Sequence, residues 1–195
     1  MEHLLAILLG IGLAASCGFR VFTPLLVVSI AARSGYLHLA GGFDWMGTWP
    51  ALIAFAAATV LEIGAYYIPW LDNALDTAAS PIAVVAGTVL FAAMVADFDP
   101  LLQWSLAVIA GGGSAGVVQG GTVATRVAST TTTGGVGNFV VNTAETAAGF
   151  AFSVLSIVMP ILAVVLLVAS VVGLYYIGRR VLGAWFRRTA KAGDL

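Results

Sequence analysis

Long apolar runs recur along the chain, and the first extends from Leu4 to Ala32 with Arg20 as its single charged residue. At 1.5 Å per residue, a helix of this length measures about 43 Å, whereas the hydrocarbon core of a bilayer is about 30 Å thick. Only 9% of the 195 residues are charged, and soluble domains carry about a quarter because their surface faces water. The sequence therefore predicts an all-α polytopic membrane protein.

Residue types that serve metal or catalytic chemistry are scarce. Cys17 is the only cysteine and there are two histidines, so neither an internal disulfide nor a Cys/His metal cluster is possible. The chain contains no P-loop. Its net charge of -1 gives no indication of nucleic-acid binding. We therefore expect no enzymatic activity, no cofactor and no metal.

The N-terminal segment is either a cleaved signal sequence or a retained first span. Residues 13–17 weakly resemble a lipoprotein cleavage site, but Glu2 stands where a basic residue is expected and the apolar run resumes after Arg20. We expect a first span that is retained.

About six transmembrane helices are expected. They cover residues 4–32, 49–69, 81–96, 101–127, 138–158 and 160–178. Pro24 cannot donate a hydrogen bond to the Arg20 carbonyl, which predicts a break in the first span. Residues 70–80 are predicted to form a polar loop, with Ser80 as N-cap and Pro81 as the first residue of the third helix. At Met159–Pro160 a tight hairpin is favoured over a kink in one long helix.

The two halves of the chain, residues 1–98 and 99–180, show a similar order of features. Each begins with an overlong, glycine-rich stretch that contains an arginine, and each continues with a span that contains a glutamate, Glu62 or Glu145. Two inverted three-helix repeats with broken first helices are typical of secondary transporters. Coincidence in a glycine-rich chain is the alternative. In both cases residues 1–180 form one transmembrane domain.

Basic residues indicate the orientation. Five of the eight Lys and Arg residues lie near the C-terminus, at positions 179, 180, 187, 188 and 191. The positive-inside rule places residues 181–195, a basic tail, in the cytoplasm. With six spans the N-terminus is cytoplasmic too, in a bacterial cytoplasmic (inner) membrane. The tail is expected to bind anionic lipid.

Charged residues inside the apolar runs are the candidate functional residues. Arg20 and Glu62 lie far from the ends of their runs, where each charge costs about 2.5–3.5 kcal/mol on insertion scales. They predict a substrate or ion site, or else a structural Arg–Glu pair that locks two helices. Arg126 and Glu145 pose the same choice, with the further alternative that either side chain extends to the membrane interface.

Polar side chains crowd the region between residues 119 and 142, which predicts a segment that lines a cavity. The predicted substrate or ion pathway consists of Arg20, Pro24, Glu62, Gln119, Arg126, Asn138, Asn142 and Glu145. Gly112, Gly116 and Gly120 lie four residues apart, and this spacing indicates close helix packing inside the protomer or, as an alternative, a seam in a homo-oligomer.

Two segments resemble a known family. Residues 18–26, which read GFRVFTPLL, and the block from Leu61–Glu62 through 68–72 to Asp76 are similar to the bacterial membrane family named domain of unknown function 4126. The resemblance covers residues 5 to 180 and includes Arg126 and the Gly137–Asn138 turn. Members of that family often carry asparagine at the position of Arg20. The family name implies no activity and assigns no catalytic residue.

The function most consistent with these features is a small transporter or permeation pathway for an unidentified small solute or ion. Proton coupling is compatible with it, because a buried carboxylate takes up a proton more readily than one in water. The alternative is a non-transporting scaffold or accessory subunit whose buried charges only fix the register of the helices.

Overall fold

The computed structural model describes residues 2–96, 98–173, 176 and 179. In this part of the chain every regular element is a helix, so the predicted all-α class is confirmed. The elements are α1 (Glu2–Cys17), α2 (Phe22–Arg33), a 3₁₀ turn (Asp44–Gly47), α3 (Trp49–Ala65), α4 (Pro69–Met94), α5 (Pro100–Leu106), a π-helical segment (Ala107–Gly112), α6 (Gly113–Thr133), α7 (Asn138–Val158) and α8 (Pro160–Gly173).

Among the described residues, three stretches of helix are long and apolar enough to cross a membrane, namely Thr77–Met94, Pro100–Thr133 and Asn138–Val158. The helices α1, α2, α3 and α8 are apolar but shorter. Large aliphatic side chains point outward, as α3 shows with Val60 at 70% and Leu61 at 72% exposure. A continuous apolar exterior of this kind is suited to lipid rather than to water. The fold is that of a polytopic helical membrane protein.

The predicted break in the first apolar run is confirmed, but its predicted cause is wrong. The chain leaves α1 at Cys17 and enters α2 at Phe22. Pro24 is the third residue of α2, where a backbone N–H has no intrahelical partner and its loss is tolerated. The break begins instead at Gly18, where an added Cβ would lie 2.6 Å from the Ala115 carbonyl oxygen of α6. Close contact between the two backbones therefore accompanies the interruption.

The predicted loop at residues 70–80 is wrong, because this segment belongs to α4. The helix begins at Pro69 and continues through Pro81 to Met94. Both prolines are suited to the first turn of a helix, and the sequence pattern favoured the second. The segment between them is rich in alanine and leucine, which favour helix. Pro81 is exposed inside this helix, where it removes one intrahelical hydrogen bond.

The fourth apolar run is continuous, unlike the first. Its helix extends from Pro100 to Thr133 and contains the π-helical segment, a one-turn widening that inserts an extra residue. Gly111 in this segment faces Gly87 of α4 so closely that a Cβ on Gly111 would lie 2.7 Å from the Gly87 carbonyl oxygen. The two predicted repeats therefore differ in their first element, and the inverted repeat stays a prediction.

Of the three glycines that lie four residues apart, two lie against α4. A Cβ on Gly112 would lie 2.7 Å from Thr88 Oγ1, and one on Gly116 would lie 3.4 Å from Val84 Cγ2, both on α4. These glycines therefore pack inside the protomer. Gly120 has no such neighbour within 4 Å among the described residues.

The hairpin at Met159–Pro160 is confirmed. Met159 alone separates α7 from α8 and leaves helical geometry, with φ -140° and ψ 69°. Phe152 of α7 and Leu167 of α8 pack in the same apolar cluster, although in one straight helix they would be about 22 Å apart. The chain therefore reverses, and α8 lies beside α7.

Candidate functional site

Buried polar side chains from four parts of the fold meet inside the bundle. Arg20 lies in the break between α1 and α2, Arg126 lies on α6, and Glu145 lies on α7. Their exposed fractions are 1%, 2% and 6%. We call the set Arg20, Glu62, Tyr66, Arg126, Asn142 and Glu145 the charge cluster. The fold thus brings together side chains that lie more than 120 residues apart in the sequence.

Arg126 and Glu145 form the central ion pair. Arg126 Nε donates to Glu145 Oε2 at 3.0 Å and to Oε1 at 3.3 Å, and Arg126 Nη2 also donates to Oε2. A guanidinium that binds a carboxylate through two nitrogens is among the stronger protein ion pairs. The alternative that either side chain extends to the interface is therefore wrong, because both are buried against each other.

Arg20 joins the same carboxylate. Its Nη1 lies 3.6 Å from Glu145 Oε2, while Nη2 donates to the Asn142 carbonyl oxygen at 2.9 Å and Nε donates to Thr146 Oγ1 at 3.0 Å. The alternative of an Arg20–Glu62 pair is therefore wrong, since the acidic partner of Arg20 is Glu145 on α7. Nη1 is buried and makes no hydrogen bond within the described residues.

Glu62 binds backbone instead of a cation. Its Oε1 accepts a hydrogen bond from the Val21 N–H at 2.7 Å, and its Oε2 accepts one from the Phe22 N–H at 3.0 Å. The first N–H groups of a helix have no intrahelical partner and form the positive end of the helix dipole. The carboxylate therefore caps α2 at the point where the first apolar run is interrupted.

Tyr66, at the C-terminal end of α3, was missed by sequence reasoning. The guanidinium carbons of Arg20 and Arg126 lie 4.0 and 4.2 Å from the centroid of its ring. Its carbonyl oxygen accepts a hydrogen bond from Asn142 Nδ2 at 2.7 Å. A ring face attracts cations, so Tyr66 holds both arginines. The available signal was its position four residues after Glu62, which places both on one face of a helix.

The remaining predicted pathway residues lie outside the cluster. Pro24 is buried in the first turn of α2 and Gln119 is 4% exposed on α6. Asn138 is the first residue of α7, where its Nδ2 donates to Thr130 Oγ1 at 3.0 Å. The structure thus brings five of the eight predicted residues together and places three elsewhere.

A cleft of about 710 Å³ adjoins the cluster. Side chains of α6, α7 and α8 line it, and most are apolar, such as Val117, Val141 and Phe152. Glu145 is also part of the lining, whereas Arg20 and Arg126 are not. The carboxylate therefore separates the two arginines from the space of the cleft.

Several acidic and basic residues named from the sequence lie outside the described side chains. These are Asp72, Asp76 and the tail residues 181–195. Among the residues that the structure describes, no group of three His, Cys, Asp or Glu side chains is arranged to hold a metal ion.

The fold and its buried charge cluster place the protein in the class of polytopic helical membrane proteins with charged side chains inside the bundle. The chain belongs to the family described as domain of unknown function (DUF4126), which matches residues 7–180. The resemblance seen in the sequence is thereby confirmed. No curated protein and no solved structure was found to match.

Proposed function

We propose that the protein is a small transporter or permeation pathway for a small solute or ion, with the charge cluster in the path. The observation that carries the proposal is the interruption between α1 and α2, where the backbone N–H groups of Val21 and Phe22 donate to Glu62 beside buried Arg20. Interrupted helices form the solute sites of many transporters because they offer backbone groups inside the membrane.

Two further features support a path rather than a sealed core. Arg20 Nη1 is a buried donor with no hydrogen bond in the described part of the chain, and such a group is normally satisfied by water or a ligand. The adjoining cleft gives Glu145 access to a space large enough for a small molecule.

Glu62 supplies a means of proton coupling. As a carboxylate it accepts both N–H groups of the α2 N-terminus. Protonation would remove the negative charge and convert one oxygen into a donor, so that one N–H of the pair would lose its partner. The break would then be free to bind a solute or to change its geometry.

The alternative function is a non-transporting scaffold or accessory subunit. It is favoured by the deep burial of Arg126 at 2% and Glu145 at 6%, together with their direct pairing. Such pairs can fix the register of helices without contacting any solute.

The proposal includes a location and partners. We infer a bacterial cytoplasmic membrane, both termini in the cytoplasm, anionic lipid at the basic tail, and homo-oligomers. The distribution of basic residues in the sequence supports the orientation and the lipid.

Cysteine accessibility tests the proposed path. Cys17 is the only cysteine and is fully buried, so Cys17→Ala provides a background without thiols. In this background Thr146→Cys, beside Arg20 Nε, and Thr122→Cys, in the cleft lining, are treated with a charged, membrane-impermeant methanethiosulfonate. A hydrated path predicts that both thiols react.

The controls lie in the loop and on the outer face. Tyr36→Cys, in a loop and 84% exposed, should react, and Val154→Cys, on the outer side of α7 and 39% exposed, should not react if lipid covers it. Failure of Thr146→Cys and Thr122→Cys to react, while Tyr36→Cys reacts, would exclude the path and favour the scaffold.

A further inference from the structure

The polar groups that line the cleft share one property, which is that they offer acceptors and no donors. The described lining contains three hydroxyl side chains, those of Thr122, Thr125 and Ser170, and one carboxylate, that of Glu145. A hydroxyl has one proton to donate and two lone pairs to accept with. Whether these hydroxyls can donate to a ligand therefore depends on whether their protons already form hydrogen bonds within the protein.

All three hydroxyl protons are used by backbone carbonyl groups. Thr125 Oγ1 donates to the Gly121 oxygen at 2.9 Å and Ser170 Oγ donates to the Leu166 oxygen at 2.7 Å. Thr122 Oγ1 lies 2.9 Å from the Gln119 oxygen and donates to it. Only the lone pairs of these hydroxyls remain available to a molecule in the cleft.

Glu145 adds a further acceptor whose charge is already balanced. Its Oε2 accepts the closest bond from Arg126 and lies near Arg20, whereas Oε1 accepts, within the described part of the chain, the single 3.3 Å bond from Arg126 Nε. A carboxylate has about four lone-pair sites, so Oε1 retains acceptor capacity. A cationic ligand would approach two guanidinium groups, and an anionic ligand would find only acceptors in the described lining.

We propose that the cleft binds a neutral amphiphile, an apolar molecule that carries a hydrogen-bond donor such as a hydroxyl group. The apolar body lies against the α6, α7 and α8 walls, and the donor binds one of the acceptors that Glu145 and the three hydroxyls offer. The volume of about 710 Å³ falls within the range of small-molecule sites. This inference rests on the proposed function in that it names the class of solute.

Matched probes test the donor requirement. The full chain in nanodiscs is dialysed to equilibrium against radiolabelled 1-octanol, 1-methoxyoctane or octanoate, and uptake by empty nanodiscs is subtracted. The alcohol has a donor, the ether keeps the chain without the donor, and octanoate carries a negative charge. We expect 1-octanol to bind at least about tenfold more tightly than the other two, a factor that corresponds to about 1.4 kcal/mol.

Variants test the location. Ala148→Phe places a ring in the cleft, and the neighbouring Ala147→Phe places the same ring on the exposed side of α7. Of these two variants, Ala148→Phe should lower the affinity for 1-octanol by about tenfold or more, and Ala147→Phe should leave it unchanged. Val117→Phe is a second cleft variant that tolerates extra volume, since Val117 is 55% exposed.

The outcomes separate this inference from the proposed function. Equal binding of the ether or of octanoate would overturn the donor requirement, and unchanged binding in both cleft variants would overturn the site. Because the dialysis measures binding alone, a positive result combined with unreactive thiols at Thr146→Cys and Thr122→Cys would retain the ligand class and reject the permeation path.

Discussion

The carboxylate of Glu62 lies against the backbone of Val21, with 2.7 Å between Glu62 Oε1 and Val21 N, although 41 residues separate them in the chain. The second oxygen, Oε2, lies 3.0 Å from Phe22 N. A side chain of α3 thereby satisfies two donors that the interrupted helix cannot satisfy itself. Charge-assisted bonds of this kind are shorter and stronger than neutral ones, so the break is fixed in place by one residue.

Glu62→Gln tests this capping role. The amide keeps one oxygen acceptor, and its NH₂ group would face an N–H donor, so one hydrogen bond is lost. We expect the free energy of unfolding in detergent to fall by about 1.5–3 kcal/mol, the range for a hydrogen bond to a charged group. Hydrogen exchange at the Val21 and Phe22 amides should accelerate.

Leu61→Ala is the matched control for Glu62→Gln. Leu61 precedes Glu62 on α3 and is 72% exposed, so its truncation should leave exchange at Val21 and Phe22 unchanged. Equal protection of these two amides in Glu62→Gln and in the parent would show that the carboxylate does not hold the α2 N-terminus.

The sequence predicted which charges are buried better than it predicted their partners. The energetic cost of a charge in hydrocarbon identifies Arg20, Glu62, Arg126 and Glu145 without any structure. Partners depend on how helices distant in sequence are arranged, so Arg20 was open to pairing with Glu62 when its partner is Glu145. Backbone acceptors and donors carry no sequence signal, and the bonds of Glu62 to α2 were therefore not predictable.

Glycine and proline predicted some helix boundaries and not others. The Gly134–Gly137 turn and the start of α7 at Asn138 follow from glycine, and Gly134 and Gly135 adopt φ of 63° and 91°. The start of α4 did not follow from proline, because Pro69 and Pro81 are both acceptable first residues. The sequence pattern alone does not select between them.

Tyr66 is expected to stabilise the two arginines through its ring. Tyr66→Leu removes the ring face that lies 4.0 and 4.2 Å from the guanidinium carbons. Two cation–π contacts of about 0.5–2 kcal/mol each predict a loss of about 1–4 kcal/mol in the free energy of unfolding. Tyr66→Phe keeps the ring and should lose less, so an equal loss in both variants would contradict a role for the ring.

Gly18 is expected to be required for the contact between the helix break and α6. A methyl group in Gly18→Ala would lie 2.6 Å from the Ala115 carbonyl oxygen and 2.7 Å from the Gln119 nitrogen, and neither backbone atom can move away cheaply. We expect overpacking that lowers the free energy of unfolding by about 1–3 kcal/mol, measured by thermal or denaturant unfolding in detergent.

Gly120→Ala is the control for Gly18→Ala. Gly120 lies inside α6 with no neighbour within 4 Å in the described structure, so alanine should be neutral or stabilise the helix by up to about 1 kcal/mol. A Gly18→Ala protein as stable as the parent would show that α1 and α6 do not approach as closely as the structure has them.

The stability of the cluster should depend on how many buried charges are left without a partner of opposite charge. Glu145→Leu leaves Arg20 and Arg126 buried without the carboxylate that both contact, and it should cost about 3–5 kcal/mol. Adding Arg126→Met should recover only part of this loss, because Arg20 still lacks its acidic partner. The triple variant with Arg20→Met should recover most of it, since apolar residues of similar volume often replace buried ion pairs without loss.

The triple variant also separates the two proposed functions. A scaffold needs only the fold, so a stable triple variant should keep the scaffold or accessory function of the parent protein. A pathway needs the polar groups, so the same stable protein should lose the reactivity of Thr146→Cys toward the impermeant reagent, because an apolar core excludes water. Unfolding by denaturant in detergent measures the first outcome and thiol labelling in intact cells measures the second. Thr146→Cys is therefore added to the triple variant. If this protein stays folded and is labelled as readily as Thr146→Cys alone, the charge cluster is not part of the path.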